Sequence, residues 1–126
     1  MTGVQTCALP ILFSPAQRER LAEITGIDVS RTVPDLSVAP DEELVEVEVL
    51  VTGWGSPVVD AAALARMPRL RAIVHTAGTV RFVVADVVWD RGDIVVTSAT
   101  EANAVPVAEY ALAQIQIGRA SCRERV

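Results

Sequence analysis

The sequence of 126 residues contains no lysine, only one histidine and only two cysteines. Both cysteines, Cys7 and Cys122, lie close to a terminus, so the long middle of the chain has neither a disulfide framework nor a thiolate metal site. A reducing, cytoplasmic location is therefore expected. His75 alone supplies too few ligands for a histidine metal centre and no convincing Ser–His–Asp set. We expect no catalytic and no metal-binding residue in this chain.

Long apolar runs and a complete nucleotide-binding glycine motif are also missing. No apolar stretch approaches the roughly 20 residues of a membrane span, which argues against a membrane partner. Gly53 and Gly55 have the first spacing of G-x-G-x-x-G, but Val58 stands where the third glycine is required. The chain by itself is therefore expected to bind no NAD or NADP.

The two ends of the chain resemble translated sequencing adapters. Residues 8–11, Ala-Leu-Pro-Ile, are encoded by GCTCTTCCGATC, and the reverse complement of that DNA encodes residues 117–120, Ile-Gly-Arg-Ala, in another frame. One DNA element accounts for both ends, whereas two unrelated natural tails would rarely share it. We therefore expect residues 1–11 and 117–126 to be foreign and residues 12–116 to be the natural fragment.

Charge and size narrow the class of protein further. Residues 12–116 contain 15 acidic residues and 8 arginines, a net charge of −7 that argues against nucleic acid as a partner. Hydrophobic residues make up 51% of the chain, which is enough for the core of one compact domain of the usual size. The sequence predicts one domain.

Apolar periodicity predicts strands that alternate with helices. Runs rich in β-branched residues indicate strands at residues 45–51, 70–75 and 94–97, with a further short strand near residues 30–33. Helices are predicted at residues 14–26, 60–67 and 80–89, and from about residue 105 onward. This order is typical of a three-layer α/β domain with a parallel sheet covered on both faces.

Some side chains are assigned to the interior by the same patterns. Leu21 and Ile24 are expected on the inner face of the first helix, which Gly26 ends. Trp89 and Tyr110 lie within helical patterns and are expected in the core. Pro106 is expected in the first turn of the last helix, where a missing backbone N–H costs nothing.

The loops after the three main strands are the candidate ligand site, because ligands of open parallel sheets bind outside the carboxyl ends of the strands. These loops are Gly53-Trp54-Gly55, Thr76-Ala77-Gly78-Thr79 and Ser98-Ala99-Thr100. Gly78 and its neighbours can present backbone amides to a carboxylate, although tight turns alone explain most loop glycines.

Three side chains near these loops have two interpretations each. Trp54 either lines a ligand pocket or covers the sheet edge with its ring. His75 ends an apolar strand, which favours a structural role over acid–base chemistry. Arg81 is well placed to pair with an anion, but surface arginines usually face solvent.

Three segments resemble, in this order, the N-terminal part of the D-isomer-specific 2-hydroxyacid dehydrogenases. Residues 68–79, PRLRAIVHTAGT, look like the strand and substrate-loop segment of that family. Residues 91–96, RGDIVV, resemble its lead into the next strand, and residues 103–110, NAVPVAEY, resemble its N-A-x-x-V-A-E helix start, the most specific element. The resemblance spans residues 12–116.

The resemblance implies a flavodoxin-like substrate-binding domain, incomplete at both ends, of a homodimeric protein that interconverts a small 2-keto acid and a D-2-hydroxy acid with NAD or NADP. The strand before the first helix would be missing. The nucleotide-binding domain would lie beyond the chain, together with the arginine, glutamate and histidine that perform the reaction. Candidate cleft residues are, for the substrate, Trp54, Gly55, Ala77, Gly78 and Thr79, and, for the cofactor, Ala99, Asn103 and Val107.

One departure from the family pattern keeps another class of function open. The family usually shows V-G-x-D after the strand, whereas this chain has Gly78-Thr79-Val80-Arg81. A non-catalytic α/β module that binds a small acid is the second hypothesis. A flavodoxin-like electron carrier ranks last, because the loops lack a Ser/Thr-rich phosphate cradle.

Overall fold

The structure, a computed structural model, describes residues 3–5, 13–29 and 32–123. Strands and helices alternate along most of the chain, as the sequence predicts. The strands are β1 (Gly3–Gln5), β2 (Val49–Thr52), β3 (Ala72–His75) and β4 (Val95–Ser98). The helices are α1 (Pro15–Thr25), α2 (Asp41–Leu44), α3 (Ala61–Arg66), α4 (Asp86–Arg91) and α5 (Thr100–Arg123).

The four strands form one parallel sheet in the order β1-β2-β3-β4. Thr52, the last residue of β2, pairs with His75, the last of β3, and His75 pairs with Ser98, the last of β4. The predicted α/β fold with a parallel sheet is thereby confirmed. Because the three strands end in register, the loops that follow them leave from one straight edge.

Helices pack on both faces of the sheet. Leu50 and Ile73 are fully buried in the main core, together with residues of α3 and α4. Val51 points to the opposite face, because successive side chains of a strand alternate, and there it packs with Ile27 and Leu21. These contacts give the three layers that the sequence predicts.

The second face is covered only in part by the residues that the structure describes. Val74 of β3 is 36% exposed and Val95 of β4 is 62% exposed. The prediction of a sheet covered on both faces therefore holds over β2 and not over β3 and β4.

Helix α1 begins and ends as its sequence predicts, but fewer of its side chains are covered than the sequence predicts. The Ser14 hydroxyl accepts a hydrogen bond from the Gln17 amide, the Gln17 side chain accepts one from the Ser14 amide at 2.8 Å, and Gly26 ends the helix with φ of 65°. Ile24 is 62% exposed, so its predicted position on the inner face is wrong. No residue of α1 is fully buried, and Leu21 is partly buried against Val51 of the sheet.

Strand β2 is shorter than its alternating sequence predicts. Residues 41–44 form α2, and the Val45 amide still donates to the Asp41 carbonyl at 2.9 Å. Three acidic residues in the first turn of this helix favour it, since they lie at the positive end of the helix dipole. Val47 is fully buried, but it lies in the turn before β2. Val47 is therefore buried as part of the segment that joins α2 to β2, and not as part of the predicted strand.

Helix α5 begins earlier than predicted and makes less contact. It starts at Thr100, so Pro106 lies inside it and offers no N–H to the Ala102 carbonyl. Tyr110 is 67% exposed, and every described side chain from residue 104 to residue 118 is exposed. Trp89 of α4 is also exposed. The predicted core positions of Tyr110 and Trp89 are therefore wrong.

The remaining predictions concern the first third of the chain. The sequence predicts that the strand before α1 is missing, whereas the structure has β1 there, paired with β2. Of the short strand expected near residues 30–33, residues 30 and 31 lie outside the described residues, and residues 32 and 33 are not in a strand.

Among the described residues, no helix has the length and apolar character that crossing a membrane requires.

Candidate functional site

The candidate site is the edge of the sheet at which β2, β3 and β4 end. Residues 53–56 follow β2 and are called the Trp54 turn; residues 76–79 follow β3 and are called the Gly78 turn. The start of α5 follows β4 after a single residue, Ala99. The predicted edge thus carries two turns and the beginning of a helix.

The Trp54 turn is closed by its own last residue. The Gly53 amide donates to the Ser56 hydroxyl at 2.8 Å, and the Ser56 amide donates to the Gly53 carbonyl at 3.3 Å. Gly55 has φ of 76°, in the left-handed region that glycine adopts without strain. Trp54 stands at the tip of this turn with 64% of its surface exposed, so its ring does not cover the sheet edge.

The Gly78 turn is held by the neighbouring strand. The backbone amide of Thr76 donates to the Thr52 carbonyl at 2.8 Å, and the Thr76 hydroxyl donates to the same oxygen at 2.9 Å. Ala77 is buried, and its carbonyl accepts from the Ala99 amide at 3.0 Å. These bonds attach the beginning of the turn to the ends of both adjacent strands.

The middle of the Gly78 turn lies against α5. The Thr100 hydroxyl donates to the Gly78 carbonyl at 2.5 Å and lies 2.8 Å from the Ser98 hydroxyl. A Cβ at position 78 would lie 3.1 Å from the Asn103 side-chain amide nitrogen, closer than side chains ordinarily pack. A larger residue here would require the Asn103 side chain to move by a few tenths of an ångström, so the close approach of this side chain favours glycine, and positive φ does not.

The two loops next to each other on the edge are also joined. The Val59 amide donates to the Val83 carbonyl at 2.7 Å, and the Ala85 amide donates to the Val59 carbonyl at 3.3 Å. These bonds form a short parallel bridge between Val59 and Val84, just after the two turns. The chain segments that follow the two turns are thus bonded to each other.

His75 lies beneath the site and is almost completely buried. It is 3% exposed, and its Nδ1 lies 2.9 Å from the Oγ1 of Thr52, which is 1% exposed. Burial lowers the pKa of His75 below the ordinary value of 6.5, and a hydrogen bond with the backbone of Thr79 partly opposes that shift. The neutral ring is therefore favoured at neutral pH, which agrees with the structural role expected for it.

An open cavity of about 380 Å³ lies beside the ends of β3 and β4. Its wall is formed by residues of those strand ends, of the loops after them and of the chain before α1: Phe13, Val74, His75, Thr76, Thr97, Ser98 and Ala99. Among the residues that the structure describes, no group of acidic, histidine or cysteine side chains has the arrangement of a metal site. The side chains that bring polar atoms to this wall are those of His75, Thr76, Thr97 and Ser98.

The structure brings together four of the predicted site residues. Ala77 and Gly78 contact the start of α5 at Ala99 and Asn103. Thr79 is exposed and belongs to the same turn. The predicted substrate-side and cofactor-side groups are thus in direct contact at this point.

The other predicted residues lie apart from these contacts. Trp54 and Gly55 are on the adjoining turn, and Val107 is about two helical turns from Ala99 and is 61% exposed. Arg81 is exposed just beyond the Gly78 turn, as its solvent interpretation predicts.

The sequence interpretation missed the hydroxyl groups that hold the site. Thr52, Thr76 and Thr100 each bond to a neighbouring strand end or turn. The sequence does mark these threonines, because each ends or follows a run of β-branched residues. Threonine also has high strand propensity, however, so the pattern alone does not separate a strand former from a hydrogen-bonding group.

The sequence matches no protein-family model and no curated protein. The fold is similar to that of a solved structure, D-lactate dehydrogenase from Aquifex aeolicus complexed with NAD and lactic acid, with a TM-score of 0.64 and 21% sequence identity. The match covers 92% of this chain and 33% of that chain, so this chain spans about a third of the dehydrogenase. The likeness shows a common α/β fold.

Proposed function

We propose that this chain is the substrate-binding part of a D-2-hydroxyacid dehydrogenase and that it binds a small 2-keto or 2-hydroxy acid at the Gly78 turn. The observation that carries the proposal is the hydrogen bonding of that turn to two strand ends and to α5, at the carboxyl edge of the sheet. The sequence resemblance and the fold likeness to a D-lactate dehydrogenase support it.

The turn suits a carboxylate for a physical reason. Its carbonyl groups at Ala77 and Gly78 are occupied by donors from Ala99 and Thr100. With these carbonyls turned toward the protein, the amides of Gly78 and Thr79 are proposed to face the ligand. Amides held in place in advance bind an anion without an ordering cost, so a carboxylate is the group they would recognise.

The nicotinamide cofactor does not fit this chain by itself. Val58 stands in place of the third glycine of a dinucleotide loop. Ala99 and Asn103 contact the Gly78 turn, and Val107 is exposed. We therefore propose that NAD or NADP, which would supply the hydride, is held by a further domain of a longer parent protein. The parent is proposed to be a cytoplasmic homodimer.

Titration with pyruvate and D-lactate tests the binding proposal. Backbone amide signals of Gly78 and Thr79 are expected to shift with either acid in a ¹⁵N NMR titration, while those of α3 stay in place. Propionamide, which has similar size and no charge, is the matched control. Equal shifts with propionamide, or none with either acid, would contradict a carboxylate site.

Fluorescence tests whether Trp54 belongs to the site. Trp54 and Trp89 are the two tryptophans, and both are exposed. Pyruvate is expected to quench the Trp89→Phe variant, which retains Trp54, and to leave the Trp54→Phe variant unchanged. The same titration with NADH is expected to show no saturable binding to this chain.

A non-catalytic acid-binding module is the second candidate. It is favoured by the burial of the sole histidine beneath the site and by Thr79-Val80-Arg81 in place of the family's pattern. The gene of the parent protein separates the two candidates. If its frame lacks G-x-G-x-x-G and a downstream arginine, glutamate and histidine, and the protein does not oxidise NADH with any 2-keto acid, the module is the better description.

A further inference from the structure

His75 adds a side-chain connection between β2 and the Gly78 turn to the backbone bond that joins Thr76 to Thr52. Its ring lies between the hydroxyl of Thr52, at the end of β2, and the backbone of Thr79, at the end of the Gly78 turn. Both His75 and Thr52 are almost completely buried. The ring therefore lies under the turn and contacts both the end of β2 and the last residue of the turn.

The other bonds of the turn reach its first three residues. Thr76 is held by the Thr52 carbonyl, Ala77 by the Ala99 amide and Gly78 by the Thr100 hydroxyl. At Thr79 the hydroxyl accepts a bond from the Arg81 amide, within the same loop, and the backbone bonds with the ring of His75. The ring thus adds a link from the last residue of the turn to Thr52 of β2.

We propose that His75 is a positioning residue, which acts as a neutral imidazole to fix Thr79 and thereby the direction of the amides that the Gly78 turn presents. The purpose of that positioning rests on the proposed carboxylate site. The positioning role of His75 can be measured without a ligand, so this proposal and the proposed carboxylate site can fail separately.

Only the neutral form of the imidazole satisfies the hydrogen bonds of both Thr52 and Thr79. A neutral imidazole has one donor and one acceptor nitrogen, so it bonds a hydroxyl on one side and the backbone on the other. A protonated ring has two donors, and Thr52 would then have to turn its own hydrogen away in a buried position, which is costly. The ring contacts Thr52 from β2 and Thr79 from the turn, His75 pairs with Ser98 of β4, and none of these three residues is charged.

A pH titration of the unmutated 126-residue chain is the first test. The ring signals of His75 are followed by NMR together with the amide signals of Gly78, Thr79 and the Trp54 turn. We expect Gly78 and Thr79 to shift with the same midpoint as the ring, below pH 6.5, while the Trp54 turn stays in place, because Ser56 closes it. A ring that titrates while the Thr79 amide does not move would overturn the proposal.

A matched pair of variants at Thr52 is the second test. Thr52→Val removes the hydroxyl and keeps the shape, whereas Thr52→Ser keeps the hydroxyl. Hydrogen exchange at the Thr79 amide is expected to be about tenfold faster in the valine variant and nearly unchanged in the serine variant. Equal rates in the two variants, or equal acceleration throughout the sheet in both, would contradict a role for the hydroxyl–imidazole pair.

These measurements separate the inference from the proposed function. Both are made without an added acid, so a chain that binds no pyruvate still shows whether His75 fixes the turn. Pyruvate binding that is equally tight in the unmutated chain and in Thr52→Val would retain the carboxylate site and reject the positioning role. Binding that weakens about tenfold in Thr52→Val and recovers in Thr52→Ser would support both.

Discussion

The two edges of the sheet use polar groups in different ways. Before the strands, at the amino edge, arginines pair with acids: Arg69 with Glu46 and Glu48, and Arg91 with Asp93. After the strands, at the carboxyl edge, the bonds involve hydroxyls, amides and one buried neutral imidazole. Charges at the first edge are partly exposed to solvent, whereas uncharged groups at the second hold backbone turns in place.

The contrast separates exposed ion pairs, which add little stability, from uncharged bonds that order the turns. Ion pairs at an exposed edge contribute little to the free energy of unfolding and tolerate exchange. Uncharged hydrogen bonds at the other edge, of which the Thr52–His75 bond is buried, hold backbone groups in fixed directions.

Leu70→Ala should have the largest effect, because Leu70 is fully buried just before β3. Loss of the side chain leaves a cavity in the main core and should lower the free energy of unfolding by about 2–5 kcal/mol. Urea denaturation measures this value. Leu112→Ala in α5 is the matched control, since Leu112 is 57% exposed and should change stability by less than about 0.5 kcal/mol. Similar losses in the two variants would show that α5 packs as tightly as the core.

Gly78→Ala should destabilise the carboxyl edge by about 1 kcal/mol, because the added methyl group meets the Asn103 side chain. Asn103→Ala should remove most of this penalty in the double variant. A double-mutant cycle by urea denaturation measures the coupling. Additive effects of the two substitutions would mean that the close approach of α5 does not favour glycine at position 78.

Arg69→Gln should cost about 0.5 kcal/mol or less, because its guanidinium and its partner Glu46 are about half exposed. The loss should shrink further in 1 M NaCl, where exposed charges are screened. Thermal unfolding at low and high salt measures both values. A loss of the size expected for Leu70→Ala, unaffected by salt, would place the main stability of the amino edge in its ion pairs.

Lowering the pH should weaken the fold slightly through His75. Its pKa in the folded chain lies below the ordinary value of 6.5, so the unfolded chain binds the proton more readily. The stability contributed by the neutral ring is complete above pH 6.5 and is lost as the pH falls from there toward the folded-state pKa. Urea denaturation at several pH values should show a smaller decline in His75→Gln. An equal decline in both proteins would assign it to the carboxylates.

Sequence patterns were sufficient where the deciding interaction is local. Ser14, Gln17 and Gly26 are close together in the chain, so the ends of α1 followed from the order of residues. Asp60 likewise begins α3 by accepting a hydrogen bond from the Ala63 amide at 2.9 Å. The carboxyl edge could be predicted as the site because parallel strands connected by helices must end on the same side.

The sequence by itself determined the alternation of strands and helices, the capping residues and the three loops that share one edge. Tertiary structure decided which apolar side chains are covered, since Tyr110 and Trp89 have helical patterns and remain exposed. It also decided that His75 meets Thr52 and that Asn103 approaches Gly78. These pairs are 23 and 25 residues apart in the chain, and only the register of β2 with β3 and the path of α5 bring them together.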